Sequence, residues 1–174
     1  MNEIAIKHNG EIIDLQTAKA LGFEGEQIHL DNSPDSLEVL RHSTAHLMAQ
    51  AIKSLYPDAE FYVGPTVKEG FYYDFKTKEE IGSGDLKTIE KQMLSFAKKK
   101  YPIEKYEISM DEAKEKFKDD HLKLSVMERI PGDRISIYKQ GEFEDLCRGP
   151  HLPNIGLIRY FKLTKIAGAY LGGD

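Results

Sequence analysis

With 174 residues, the chain is long enough for one sizeable domain, or for one domain with a small appendage. Its 40% hydrophobic and 30% charged residues are an ordinary globular mix, and no apolar run approaches the ~20 residues of a membrane helix. A net charge of −5 argues against a stand-alone nucleic-acid binder, and a single cysteine excludes an internal disulfide and fits a reducing compartment.

The N-terminal MNEIAIKHNG has no signal-peptide core. IAIKHNGEIIDL predicts two short strands around Asn9-Gly10, a strong two-residue hairpin signal. TAKALGF then predicts a helical turn stopped by Gly22. Residues 1–32 are too few to bury a core alone, so they form an appendage expected to pack on residues 33–174. The clearest helix starts at Ser33, a capping residue. Pro34 suits its first position, Asp35 complements the dipole and Pro57 closes it. Leu37, Leu40, Thr44, Met48, Ala51, Ile52 and Leu55 fall on one stripe at helical spacing, which reads as core.

AEFYVGP and GFYYDF read as strands separated by a Gly/Pro turn, and Gly82 to Gly84 as a loop. DLKTIEKQMLSFAKKK is a second amphipathic helix and PIEKYEISM alternates like a half-buried strand. Ser109 and Glu112 have capping-box spacing, starting a short helix to about Phe117; another runs from about His121 to Ile130. RISIYKQGEFEDL predicts a hairpin turning at Gly141, CRGPHLPN a loop, and IRYFKLTKIAGAYLGG terminal strands with a glycine break. Irregularly alternating helices and hairpins predict an α+β fold, an antiparallel sheet packed with helices. Lys98-Lys99-Lys100 and the stretch from Arg159 to Lys165 are the local basic patches.

Two residue pairs carry chemistry. His42 and His46, in HSTAH, are one helical turn apart and share a face nearly opposite the apolar stripe. Val39, Ala49 and Lys53 flank them, a partly apolar face that another element can cover. Cys147 and His151, in CRGPH, have the same spacing, but Gly149 and Pro150 rule out a regular helix and predict a tight loop, with Gly149 letting backbone approach a ligand. Three imidazoles and one thiolate suit zinc. A metalloprotease helix would carry Glu after its first histidine, where Ser43 stands. A nucleophilic Cys147–His pair remains open. Asp145 would share a face with Cys147 on an extended approach, positioned to orient an imidazole or hold an amine. Tyr72, Tyr73 and Asp74 alternate across a sheet, so one tyrosine can line a pocket. On residue type alone, Lys123 reads as a surface lysine.

RHSTAHLMAQAIKSLYP, GPTVKEGFYYDF, DLCRGPHLPN and FKLTKIAGAYLGGD stand in the order expected of threonyl-tRNA synthetases. From about residue 36 onward the chain resembles the editing domain of the bacterial family. Alanyl-tRNA synthetases share the paired motifs, but the flanking GFYYDF and AGAY blocks point to the threonyl branch. Nothing resembles the class II aminoacylation motifs or an anticodon-binding domain, so the chain reads as an excised fragment, with residues 1–32 as a shortened remnant of the family's ubiquitin-like module. The resemblance implies a cytoplasmic editing hydrolase that deacylates serine misattached to threonine tRNA. It assigns His42, His46, Lys123, Cys147 and His151 to catalysis and Tyr73 and Asp145 to substrate binding. It implies no cofactor for editing, with zinc at His42, His46, Cys147 and His151 as the alternative; ATP and a further zinc belong to the missing core. The implied partners are the seryl acceptor end of the tRNA and the rest of the synthetase, a homodimer, with no membrane. Two other readings are a tRNA-docking module with a dead site and a stand-alone zinc-dependent ester hydrolase.

Overall fold

The computed structural model describes residues 2–168. Strands β1 (Glu3–His8) and β2 (Glu11–Asp14) form the hairpin expected around Asn9-Gly10, and both turn residues have positive φ. Asp14 then caps α1 (Leu15–Leu21), accepting the Thr17 N–H at 2.9 Å. A third strand, β3 (Glu26–His29), carries no marker in the sequence; it pairs with β1, giving the order β2-β1-β3. Ile4, Ala5 and Ile28 join Val39, Ala45 and Leu47 in one apolar cluster, so this small sheet shares the core of the larger unit beside it.

Helix α2 (Pro34–Leu55) starts and stops as its signals predict, with the Ser33 hydroxyl accepting the Ser36 N–H. Its burial is wider than one stripe. Val39, Ala45, Leu47 and Ala49 are fully buried, whereas Leu37, Leu40, Met48 and Leu55 are half-buried. The helix is covered on opposite sides, so the apolar stripe marks only part of the core.

The two segments read as strands form one irregular ribbon of four two-residue strands: β4 (Glu60–Phe61), β5 (Thr66–Val67), β6 (Gly70–Phe71) and β7 (Phe75–Lys76). β4 pairs with β7 and β5 with β6, and the Tyr62 N–H donates to the Asp74 carbonyl between them. Helix α3 (Leu86–Ala97) packs against α2. Strand β8 (Glu104–Ser109) leads into α4 (Met110–Lys116), where Ser109 accepts the Glu112 N–H at 3.1 Å as the capping box predicts. Helix α5 (His121–Met127) closes three residues before the expected Ile130, and turn bonds continue to that residue.

β9 (Arg134–Gln140) and β10 (Phe143–Leu146) form the hairpin about Gly141, and the sheet order is β10-β9-β8, all antiparallel. Register decides what each face carries. Asp145 lies opposite Tyr138, and Phe143 opposite Gln140. These four face α2, where Gln50 donates to the Gln140 carbonyl at 3.1 Å. The alternate residues, Ile135 and Ile137, face the other way and form a second core with Ala113 of α4 and Met127 of α5.

Residues 147–152 continue from β10 without regular structure, as expected, and contain a cis Gly149-Pro150 peptide. The terminal strands expected from IRYFKLTKIAGAYLGG are not seen in residues 158–168; residues 169–173 of that stretch lie outside the described residues. Alternation shows only that a segment suits a pleated surface; a strand also needs an edge to pair with. Here Ile158 and Leu163 are buried singly, and the Leu163 N–H bonds to the Glu90 side chain at 3.1 Å. Among the described residues no helix is long and apolar enough to cross a membrane.

Candidate functional site

Helix α2 presents His42 and His46 one turn apart, and the loop of residues 147–152 covers them. The partly apolar face beside them is therefore the inner wall of a cleft. The Cys147 sulfur lies 3.1 Å from His42 Nε2 and 3.2 Å from His151 Nε2. The His151 ring stacks on His42 at 4.1 Å between centroids and sits 4.3 Å from His46. One ligand atom from each of the four residues falls within 4.8 Å of all the others.

The hydrogen bonds fix the orientation of these groups. His42 Nδ1 faces the Pro150 carbonyl at 3.0 Å and must donate to it, leaving the Nε2 lone pair turned toward sulfur. His151 Nδ1 lies 3.0 Å from the Ser43 hydroxyl, which accepts the Leu152 N–H at 2.9 Å. Ser43, next to the first helix histidine, thus holds the histidine of the loop. Gly149 donates to the sulfur at 3.3 Å. Its positive φ of 81° suits glycine, and a Cβ there would come within 2.2 Å of the Tyr138 hydroxyl. The close approach made by Gly149 is to Tyr138.

Burial keeps the four groups neutral. It pushes His46 down to about 3, and His42 and His151 are lowered for the same reason. It pushes the Cys147 thiol up to about 12. A thiol held protonated is a poor nucleophile, which weakens the Cys147–His nucleophilic reading.

A charged group adjoins the neutral one. Asp145 is 1% exposed and accepts from the Tyr73 hydroxyl and from the Leu146 N–H at 2.8 Å. It also ion-pairs with Lys123, whose ammonium lies 3.4 Å from the Tyr62 carbonyl. Lys123 is 2% exposed, so the surface reading of its residue type fails. Its place comes from the Asp120 cap of α5, which accepts the Lys123 N–H at 2.8 Å and, through its other oxygen, the Phe61 N–H of β4 at 3.0 Å. Of the tyrosine pair, Tyr73 turns inward and Tyr72 faces solvent. A cavity of about 640 Å³ opens beside Lys123 and Asp145, walled by Gln50, Phe61 and Phe143.

The structure therefore brings together all seven residues singled out in the sequence: His42, His46, Tyr73, Lys123, Asp145, Cys147 and His151. Three supporting residues were not singled out: Ser43, Tyr138 and Asp14. Asp14 accepts the Tyr138 hydroxyl and, at 3.3 Å, the His151 N–H. Its capping position ahead of LQTAKAL was the one available signal.

The donor set suits zinc chemically, since three imidazole nitrogens and a sulfur are the ligands that ion prefers. The two nitrogen–sulfur distances of 3.1 and 3.2 Å are those of hydrogen bonds. They fall a little short of the ~3.5 Å edge expected of a tetrahedral zinc site.

Sequence comparison names the class first. Residues 135–172 match the family described as "Threonyl and Alanyl tRNA synthetase second additional domain". Over 98% of its length the chain is 64% identical to the threonine–tRNA ligase of Nautilia profundicola. It is 63% identical over 97% of its length to that of a Sulfurovum species, and 61% identical over 98% to that of Helicobacter hepaticus. Over nearly its whole length the chain is similar to these threonine–tRNA ligases, and it spans about 28% of their length.

Proposed function

We propose that this chain is the editing unit of a threonine–tRNA ligase, hydrolysing the ester of serine misattached to threonine tRNA. The observation that carries the reading is the contact of two groups in one cleft: the Asp145–Lys123 ion pair abuts His46, whose ring centroid lies 4.3 Å from that of His151, the partner of the thiol. A general acid–base group and a charge stabiliser side by side are what ester hydrolysis needs. The need for such a site is physical. Serine lacks one methyl of threonine, and one methylene discriminates only about 10–200-fold in a pocket.

In this reading the aminoacyl end enters by the cavity beside Lys123 and Asp145. Asp145 holds the seryl amine, with Tyr73 fixing the carboxylate. A water attacks the acyl carbon and gives its proton to neutral His42, the half-buried imidazole, taking the place of the thiol at its Nε2 lone pair. Lys123 stabilises the oxyanion. The carbon–oxygen bond to the ribose then breaks, and the proton passes to the departing ribose oxygen. The products are free serine and tRNA with both terminal hydroxyls restored. The residues carry every step. If bound by His42, His46, Cys147 and His151, zinc would supply a Lewis acid.

The editing unit is taken as residues 33–174, with residues 1–32 as an appendage. The tRNA, the aminoacylation core with its ATP, a homodimeric assembly and a cytoplasmic setting belong to the same proposal. The test is release of serine from seryl-tRNA(Thr), compared with release of threonine from threonyl-tRNA(Thr), with and without a chelator. Selective seryl release supports the reading. Binding of tRNA without release would turn the chain into a docking module, and chelator-sensitive hydrolysis of small esters without tRNA would make it a metal-dependent hydrolase.

A further inference from the structure

Asp14 is a buried carboxylate with an unusual set of neighbours. It is 5% exposed and has no cationic partner within salt-bridge distance among the described residues. Burying such a group is costly unless donors surround it. One oxygen accepts the Thr17 N–H; the other accepts the Tyr138 hydroxyl and the His151 N–H. The first contact caps a helix. The other two reach 124 and 137 residues along the chain, to β9 and to the loop that carries Cys147 and His151.

That loop is gripped from two sides. Helix α2 holds it through His42 on the Pro150 carbonyl and Ser43 on the Leu152 N–H. Asp14 holds it from the opposite side, at the backbone of His151. The Gly149 backbone lies so close that a Cβ there would meet the Asp14 carboxylate at 3.0 Å. Asp14 is itself held firmly. Beside it, the Gln16 side chain bonds to the Ile103 carbonyl at 3.2 Å and to the Lys105 N–H at 2.9 Å. Lys105 also donates to the Thr17 hydroxyl at 3.2 Å. Helix α1 is thereby tied to β8, and the carboxylate cannot drift without breaking those bonds.

We infer that Asp14 is a positioning residue of the editing site: through the His151 backbone and Tyr138 it sets where the loop thiol and imidazole stand against His42 and His46. The inference rests on the editing reading for its catalytic consequence, but not for its structural one. It makes the N-terminal hairpin a working part of the site. Partners that hold reactive groups in place typically cost ~10–100-fold in activity when removed.

The test uses Asp14→Ala, Asp14→Asn and, for comparison, Gln16→Ala, which loosens the seat of α1 but leaves the carboxylate and its donors in place. Two readouts are taken well below the melting temperature. One is the rate at which iodoacetamide alkylates Cys147, the single cysteine of the chain. The other is the split of kcat and KM for seryl-tRNA(Thr) deacylation. Asp14→Ala is expected to raise the alkylation rate and lower kcat, each by about tenfold, with KM nearly unchanged. Asp14→Asn keeps one acceptor oxygen and should recover part of both, while Gln16→Ala, which keeps the carboxylate and loosens only its seat, should move both readouts clearly less than Asp14→Ala does. If a folded Asp14→Ala protein keeps the alkylation rate and kcat of the parent, Asp14 merely caps α1 and the inference fails. Should Asp14→Ala not fold, the same reading applies to Asp14→Asn. A parent that releases no serine would sink the editing reading, and the alkylation arm would still decide the role of Asp14.

Discussion

His46 Nε2 stands 4.0 Å from the carboxylate of Asp145, and that contact joins a neutral cluster to a charged one. On one side are three imidazoles and a thiol that burial keeps uncharged. On the other, Asp145 takes the Tyr73 hydroxyl, the Leu146 N–H and the Lys123 ammonium. Removing one partner of a buried ion pair leaves an uncompensated charge, which costs ~3–5 kcal/mol. Lys123→Met is therefore expected to lose about 3 kcal/mol of stability, at the low end of that range because Asp145 keeps two other donors. Urea unfolding of Lys123→Met and of Lys123→Met/Asp145→Asn measures it. The double variant should recover part of the loss; a single variant as stable as the parent would show that the pair contributes nothing.

The same burial gives stability a pH dependence. An unfolded imidazole titrates near ~6.5, whereas burial holds His46 down to about 3 in the folded protein. The unfolded chain therefore binds protons that the native state refuses. The stability His46 contributes in this way is fully present above about pH 6.5 and is lost as pH falls toward about 3. His42 and His151, lowered for the same reason, add in the same direction. Between about pH 6.5 and 5 the His46 contribution falls by about 2 kcal/mol. Unfolding curves at several pH values, compared with those of His46→Asn, should show a shallower slope for the variant. Parallel slopes would mean that His46 titrates normally in the fold.

How much of this could be read from the chain depends on what each signal measures. Local signals held: Ser33 with Pro34, Ser109 with Glu112 and Asn9-Gly10 each specify a terminus or turn within a few residues. The four residues of the two paired motifs were legible because helix spacing places His42 beside His46 and loop chemistry gathers Cys147 and His151. What was lost depends on partners distant in sequence. Lys123 looks like surface until Asp145 is known to lie against it, and the stripe of α2 looks complete until a loop covers the other side. Strand β3 exists because β1 offers it an edge, and the segment after Ile158 stays irregular because its backbone finds the Glu90 side chain instead. Asp14 shows its cap in the sequence, but nothing there points to His151.

The metal question has a direct answer in composition. The thiol, His42 and His151 already satisfy one another at 3.1 and 3.2 Å, and the Pro150 carbonyl and Ser43 complete the set. Protein purified without chelator is expected to hold zinc well below one ion per chain, and seryl release is expected to be insensitive to chelation. Elemental analysis measures the first and deacylation with a chelator the second. Stoichiometric zinc, lost in a Cys147→Ser variant, would replace the metal-independent reading.

Gly149 offers a test of the loop that spares every proposed catalytic side chain. At φ 81° an alanine is strained, and its Cβ would lie 2.2 Å from the Tyr138 hydroxyl and 3.0 Å from the Asp14 carboxylate. The backbone conformation alone costs about 1–2 kcal/mol. The clash adds to it, because Tyr138 is buried and hydrogen-bonded and cannot swing aside. Gly149→Ala is therefore expected to lose more than about 2 kcal/mol of stability and to cut deacylation by about tenfold or more. Tyr138→Phe removes the nearest of the clashing atoms, so the double variant should lose less than the sum of the two single changes. Additive losses would mean that the loop yields elsewhere and that contact with Tyr138 does not fix where Cys147 and His151 stand.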